Sequence, residues 1–136
     1  MCGGDMVDGG SIYTLGPQLG SSLHDNYLHH QCDHYGLLYH DSGSKGFDDY
    51  NNVLANNNNN WWLLINGDGY NDTVHNNFVD ASCNTTYAAC RKGKTTAQPA
   101  STGNGTCKVW GITFVQSAAQ FPPQARAIIA NAGLKN

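Results

Sequence analysis

Hydrophobic and polar positions alternate along this chain in short bursts rather than in helical stripes. Ser11–Leu15, Gly36–Asp41 and Trp61–Asn66 are runs of β-branched, aliphatic and aromatic residues, and Leu23–Leu28, Phe47–Leu54 and Thr73–Val79 form a second set. Runs of this length and make-up predict strands. Between them lie Gly16-Pro17, Asp41-Ser42-Gly43-Ser44 and Asn66-Gly67-Asp68-Gly69, all turn formers. Both sets recur with one period. Ile12-Tyr13-Thr14 maps onto Leu38-Tyr39-His40 and Leu64-Ile65-Asn66, at steps of 26 and 26 residues. Asn26-Tyr27-Leu28 returns as Asn52-Val53-Leu54 and Asn77-Phe78-Val79, at steps of 26 and 25. Two independent series sharing a period point to a structural repeat.

A unit of this length, with short strands and no helix, cannot bury its apolar face alone and stacks as a solenoid coil. The pattern therefore predicts an all-β fold, a right-handed parallel β-helix of about three coils, with equivalent residues roughly 4.8 Å apart. In that geometry Asn26, Asn52 and Asn77 stack at one corner and bond between coils; turn asparagines, each serving its own turn, are the plainer alternative. The run Asn56–Asn60 departs from the pattern and reads as a polar turn. The column Thr14, His40, Asn66 is polar in every coil, as an outward ligand face or as an inward hydrogen-bonded stack. Tyr13 and Tyr39 share a column, and Tyr35 and Trp61 share another on the same face. With Leu37, Leu63 and Ile65 also on it, this face reads as core, and a platform of rings for sugar C–H faces is the alternative. Trp62 falls on the opposite face, so one of the adjacent tryptophans is expected to be exposed or at a corner.

The end of the chain changes character. Pro122 or Pro123 is placed to open a helix, and Ala125, Ile128, Ile129 and Ala132 follow at helical spacing, with Gly133 as the residue that ends it. A short C-terminal helix covering the solenoid is the expectation, with coils over 1–120 and the cap over 121–136. Cys83–Thr106 interrupts the period with a polar insertion carrying Arg91, Lys92 and Lys94. A disulfide using two of Cys83, Cys90 and Cys107 would tether this stretch near 81–107.

Composition narrows the function. There are 16 Asn and 16 Gly in 136 residues, which argues against a helix bundle. Charged residues are 12% of the chain and the net charge is -3, so nucleic acid and anionic membrane are not expected partners. No apolar run approaches the roughly 18 residues of a membrane-spanning helix. Sequons at Asn71, Asn84 and Asn104, with five cysteines, suit an oxidising, extracellular setting as glycosylation sites and disulfides. Met1–Asp5 has no leader-like character, so the reading is of a secreted protein whose leader is missing. Met1–Gly10 is too short and Gly-rich to cover the first coil, which points to further N-terminal coils or to end-to-end self-association there.

Several stretches resemble secreted right-handed parallel β-helix proteins of the carbohydrate-active, pectate-lyase-like type. They are Asp8-Gly9-Gly10-Ser11-Ile12-Tyr13-Thr14-Leu15-Gly16-Pro17-Gln18, Asn26-Tyr27-Leu28-His29, Tyr39-His40-Asp41-Ser42-Gly43-Ser44, and Phe121-Pro122-Pro123-Gln124-Ala125-Arg126-Ala127-Ile128-Ile129 with Ala132-Gly133-Leu134. The resemblance spans nearly the whole chain and matches the C-terminal part of such proteins. It implies a glycoside hydrolase or polysaccharide lyase, or the C-terminal portion of one, with a polysaccharide as partner. A non-catalytic extracellular solenoid that binds glycans or stacks into fibres is the alternative.

Glycosidic cleavage uses two carboxyl groups, and with no Glu in the chain both must be Asp. Asp41, closing a strand ahead of a Ser-Gly-Ser turn, leads, with Asp8 in the preceding coil, Asp68 and Asp25 as further candidates; an Asx-turn is Asp41's structural alternative. A lyase would use a base, for which His24 or His40 would serve. Tyr13, Tyr39 and Trp61 are the candidate sugar-contacting rings. His30 and His34 have a metal-ligand spacing, but in a turn rather than a helix, so no metal site is assigned. The sequence does not decide whether Ca2+ takes part.

Overall fold

The computed structural model describes residues 8–31, 35–57, 61–65, 71–80, 101–102 and 105–133. Strands β1 (Ile12–Thr14), β2 (Pro17–His24) and β3 (Tyr27–His29) make the first coil, and β4 (Leu38–His40), β5 (Lys45–Tyr50) and β6 (Val53–Ala55) the second. The third holds β7 (Leu63–Ile65), β8 (Thr73–His75) and β9 (Phe78–Asp80). After a small antiparallel pair, β10 (Ser101–Thr102) and β11 (Gly105–Thr106), strands β12 (Lys108–Trp110) and β13 (Thr113–Val115) add a fourth rung to two of the sheets. The sheets run β1-β4-β7, β12-β8-β5-β2 and β13-β9-β6-β3, and every pairing within them is parallel. This is a right-handed parallel β-helix with a C-terminal helix.

The second set of sequence runs does not form single strands. Each breaks at one residue with left-handed backbone: Asp25 (φ 55°), Asn51 (φ 54°) and Asn76 (φ 52°), followed one rung later by Gly111 (φ 64°). Asn, Asp and Gly are the residues that occupy this region at least cost. The corner so made is two residues long, and its second residue is the repeated asparagine. Asn26 donates from its backbone N–H and its Nδ2 to Asn52 Oδ1, at 3.1 and 3.0 Å. Asn52 does the same to Asn77 Oδ1, at 2.8 and 3.1 Å. The ladder bonds between coils, as the repeat predicted, and closes at Ile112.

Inside the coils, Leu37, Leu38, Leu54, Trp62, Leu63 and Ile65 pack with Val74, Val79 and Val109. Each large aliphatic side chain buried this way contributes about 1.5–3 kcal/mol. The third coil is one residue shorter than the repeat suggested: Leu38, Tyr39 and His40 pair with Leu63, Leu64 and Ile65. The step is therefore 25, and Ile65, not Asn66, continues the Thr14–His40 column. Trp62 is fully buried and Trp61 half-buried, so of the two expected positions, exposed or at a corner, neither tryptophan takes the exposed one.

Helix α1 (Pro123–Asn131) has Pro at its first turn and ends before Gly133, whose φ is 86°. It covers the outer face of the third sheet. Ala125 and Ile128 pack on Val53, Ala55 and Phe78, with Tyr27 and Val115 at the margins. Those five sheet residues come from all four rungs, so α1 runs along the solenoid axis. Its nine residues rise about 13.5 Å, close to three rung spacings of about 4.8 Å.

The disulfide expectation is corrected in extent: no disulfide bond joins two of the described residues, where Cys107 is the one cysteine, while Cys107 itself is disulfide-bonded. It lies in the core beside Val74 and Val109, with Sγ 3.9 Å from Asp72 Oδ2. Cys83 and Cys90 lie outside the described residues, as do Asn84, Asn104 and Asp68. Asn71 is described and exposed, on a left-handed corner (φ 60°).

Candidate functional site

Alternation along the first sheet sends Ile12, Leu38 and Leu63 inward and Tyr13, Tyr39 and Leu64 outward. The tyrosine face is thus the outer side of the sheet, yet it packs as a small core of its own, with Tyr39 and Leu64 buried; Leu37, Leu63 and Ile65, expected on it, belong to the inner core. Tyr35 and Trp61 pack against Tyr39 and Leu64, as their shared face predicted. Tyr13 meets Tyr39 edge-on with centroids 5.1 Å apart, and Tyr35 stacks on Tyr39 at 5.2 Å. Both arrangements lie in the range where aromatic pairs attract.

Two carboxylates join these rings. The Tyr13 hydroxyl donates to Asp41 Oδ2 at 2.5 Å, and the Tyr39 hydroxyl donates to Asp8 Oδ1 at 3.2 Å. Asp41 Oδ1 meanwhile accepts from the Ser42 backbone N–H at 2.7 Å. The Asx-turn and the outward role therefore coexist, one oxygen serving each. The Asp41 carboxylate, by accepting a hydrogen bond from the neutral phenol, holds the Tyr13 pKa up at about 12, with smaller help from desolvation and from the charges of Asp41 and Asp8. Tyr13 remains 42% exposed while Tyr39 is buried beneath it, so Tyr13 and the Asp41 carboxylate are the part of this surface open to a ligand.

His40, between Tyr39 and Asp41 on β4, points inward. Its Nδ1 is 2.7 Å from Thr14 Oγ1 and its Nε2 2.5 Å from Asp49 Oδ2, and both His40 and Asp49 are fully buried. Thr14 Oγ1 is 2.9 Å from Ser44 Oγ, which donates to the Thr14 carbonyl at 3.1 Å. Burial works against the imidazolium, but the Asp49 hydrogen bond and the charges of Asp49 and Asp72 outweigh it, and the His40 pKa is raised. As an imidazolium it donates to Thr14 and Asp49, Thr14 donates to Ser44, and Ser44 to the carbonyl, so every proton has an acceptor. The Thr14–His40 column is thus the inward stack, not the ligand face. Asp49 itself occupies an inward column otherwise made of Leu23, Val74 and Val109. Its Oδ1 finds no hydrogen-bond partner among the described residues. Nearby Asp72 is pushed up to about 6, chiefly by burial, with Asp49 adding to the rise while His40 and the Phe47 and Gly46 backbone N–H groups oppose it. The network fixes β4 from behind and so holds Tyr39 and Asp41 in place.

Of the four proposed catalytic residues, Asp41 and Asp8 both lie on the tyrosine face, each bonded to a different tyrosine. His40 lies on the inner side of the same strand, where no sugar reaches it, and His24 sits on the second sheet, its Nδ1 2.8 Å from Asp25 Oδ2. The three ring residues Tyr13, Tyr39 and Trp61 share the face. Among the described residues no three His, Cys, Asp or Glu side chains gather to hold a metal ion. His29 and His30 are exposed neighbours, and His34 lies outside the described residues.

One feature of the second sheet escaped the sequence reading. His24, Tyr50, His75 and Trp110 stack ring on ring, one per rung, with centroids 4.8, 5.4 and 4.9 Å apart and interplanar angles of 4°, 19° and 6°. The four rings turn their faces to one another, so the column offers edges rather than platforms to solvent. No family model matches the chain, and neither a curated protein nor a solved structure matches it. The fold itself, an all-β solenoid, is of a kind generally associated with proteins that bind or act on carbohydrates.

Proposed function

We propose that this protein is an extracellular carbohydrate-active solenoid that engages a polysaccharide on the outer face of its first sheet. The observation that carries the reading is the joining of two tyrosines and two carboxylates, Tyr13 to Asp41 and Tyr39 to Asp8, on an outer face where Tyr13 is exposed, Tyr39 is buried, and Tyr35 and Trp61 are half-buried beside them. Rings supply apolar contact for sugar C–H groups, and hydroxyls and carboxylates supply partners for sugar hydroxyls. Binding is tested by calorimetry against a panel of soluble polysaccharides, comparing the protein with Tyr13→Ala. Titration heats for at least one polysaccharide, lost in the variant, are expected; heats that Tyr13→Ala leaves unchanged would remove the face from the function.

Two carboxyl groups at the ends of one tyrosine pair also support a second, finer reading, glycosidic cleavage with Asp41 and Asp8 as the pair. A reducing-sugar assay on the same panel with Asp41→Asn tests it. Cleavage abolished by that substitution is the expected result, and cleavage that survives it rejects the assignment.

A further inference from the structure

We propose that the furrow between the left-handed corner and helix α1 is a second binding site, a track for a neutral oligosaccharide lying along the solenoid axis. It is remote from the tyrosine face and does not rest on the function proposed there. The furrow consists of a cavity of about 420 Å³ beside Asp25 and one of about 200 Å³ beside Asn51 and Asn76. Gln124 of α1 borders both, and its Nε2 lies 3.4 Å from Asn51 Oδ1, a long contact that a ligand hydroxyl readily replaces.

The chemistry of the lining selects the occupant. Asn51, Asn76, Gln124 and Asn131 are carboxamides, which both donate and accept, as sugar hydroxyls do. The corner carries such a group on its second and third rungs, Asn51 and Asn76, so these two amides fall about 4.8 Å apart, comparable to the length of one pyranose unit. Phe78 and Ile128 give the floor apolar contact for C–H groups. The lining carries no Lys or Arg and one carboxylate, Asp25, so a polyanion is disfavoured. An extended peptide would need open backbone groups, but the corner N–H groups of Asn26 and Asn52 are already held by the asparagine ladder. One bank is helix α1 and the other a corner pinned by the asparagine ladder, so little ordering is lost on binding. The length of α1 leaves room for about two or three sugar units.

Affinity gel electrophoresis in soluble β-glucan, xylan or galactomannan, with polygalacturonate as the charged comparison, tests the track. The variants Gln124→Ala and Ala127→Trp change exposed positions, and circular dichroism with a thermal melt confirms that they fold. They are made in a Tyr13→Ala background, which disables the tyrosine face. The background protein is expected to be retarded by at least one neutral polysaccharide, with its dissociation constant raised about tenfold by either furrow variant. Retardation that neither variant alters overturns the proposal, as does retardation by polygalacturonate alone or by no polysaccharide. If Tyr13→Ala by itself abolishes all retardation, the track falls while the tyrosine face stands.

Discussion

Replacing Asn52 by alanine removes the middle of the asparagine ladder. Its Nδ2 donates to the Leu23 carbonyl at 2.9 Å and to Asn77 Oδ1 at 3.1 Å, and its Oδ1 accepts from Asn26 N and Nδ2 at 3.1 and 3.0 Å. At about 1 kcal/mol net for each hydrogen bond, the four together amount to about 4 kcal/mol. The substitution also leaves the Asn26 N–H and the Leu23 carbonyl without these partners, which works in the same direction. Asn26 sits at the end of the ladder and is only half-buried; its side chain donates to the His24 carbonyl at 3.0 Å and to Asn52. Partial access to water offsets part of that loss, so Asn26→Ala should cost about 1 kcal/mol. Equilibrium urea unfolding, followed by the fluorescence of buried Trp62, measures both. Asn52→Ala with an effect no larger than Asn26→Ala, or below about 1 kcal/mol, would refute the view that the ladder ties the coils together. A double-mutant cycle with Asn77→Ala should show strong coupling, since the two side chains share the 3.1 Å bond.

The phenol of Tyr13 should titrate at about 12 rather than 10, and Asp41→Asn should bring it down; ultraviolet absorbance of the phenolate reads both. An unshifted tyrosine spectrum would dissolve the Tyr13–Asp41 contact. Stability should fall as pH rises. Asp72 has a folded pKa of about 6 against an ordinary 3.8, so its share is lost between those values, and Asp72→Asn should flatten that limb of a pH series of thermal melts. His40 is raised above 6.5, so its share is complete below 6.5 and disappears as pH climbs through the folded value; His40→Gln should flatten the neutral limb. A stability curve that rises from pH 4 to neutrality in Asp72→Asn and parent alike would contradict the Asp72 assignment. Gly111→Ala should cost more than about 1 kcal/mol in the same melts, because its Cβ would lie 2.5 Å from Asn76 Oδ1 on a backbone with φ of 64°.

The repeat announced the solenoid because the corner tolerates few residue types, and Asn26, Asn52 and Asn77 are conspicuous in a sequence for that reason. The helix was equally legible from Pro123 and Gly133. The one-residue contraction in the third coil was not. Leu63-Leu64-Ile65 is apolar throughout, so either register fits the pattern, and only pairing with Leu38–His40 decides it. Alternation placed Tyr13 and Tyr39 on one face but carries no sign for inside or outside; the partners that decide are Leu38 and Leu63, which fill the interior. Asp48-Asp49 reads as a solvated pair, yet the pleat turns Asp49 into the core to meet His40. The ring column of His24, Tyr50, His75 and Trp110 is hidden by its spacing. Its last step spans the insertion, and two of its four members are histidines.

Solenoids usually unfold as a row of loosely independent units, each answering only to its neighbours, so ends fray while the middle persists. Here α1 joins one apolar cluster that takes in Tyr27, Val53, Phe78 and Val115, one residue from every rung. A helix laid across the row in this way acts as a splint: peeling the first rung disturbs a contact shared with the last. The chain should therefore melt in one transition, closer to a compact globular domain than to a repeat array. The same splint sets a length standard. A duplicated 25-residue coil would lengthen the row by about 4.8 Å, and α1 would need about three more residues to reach across it.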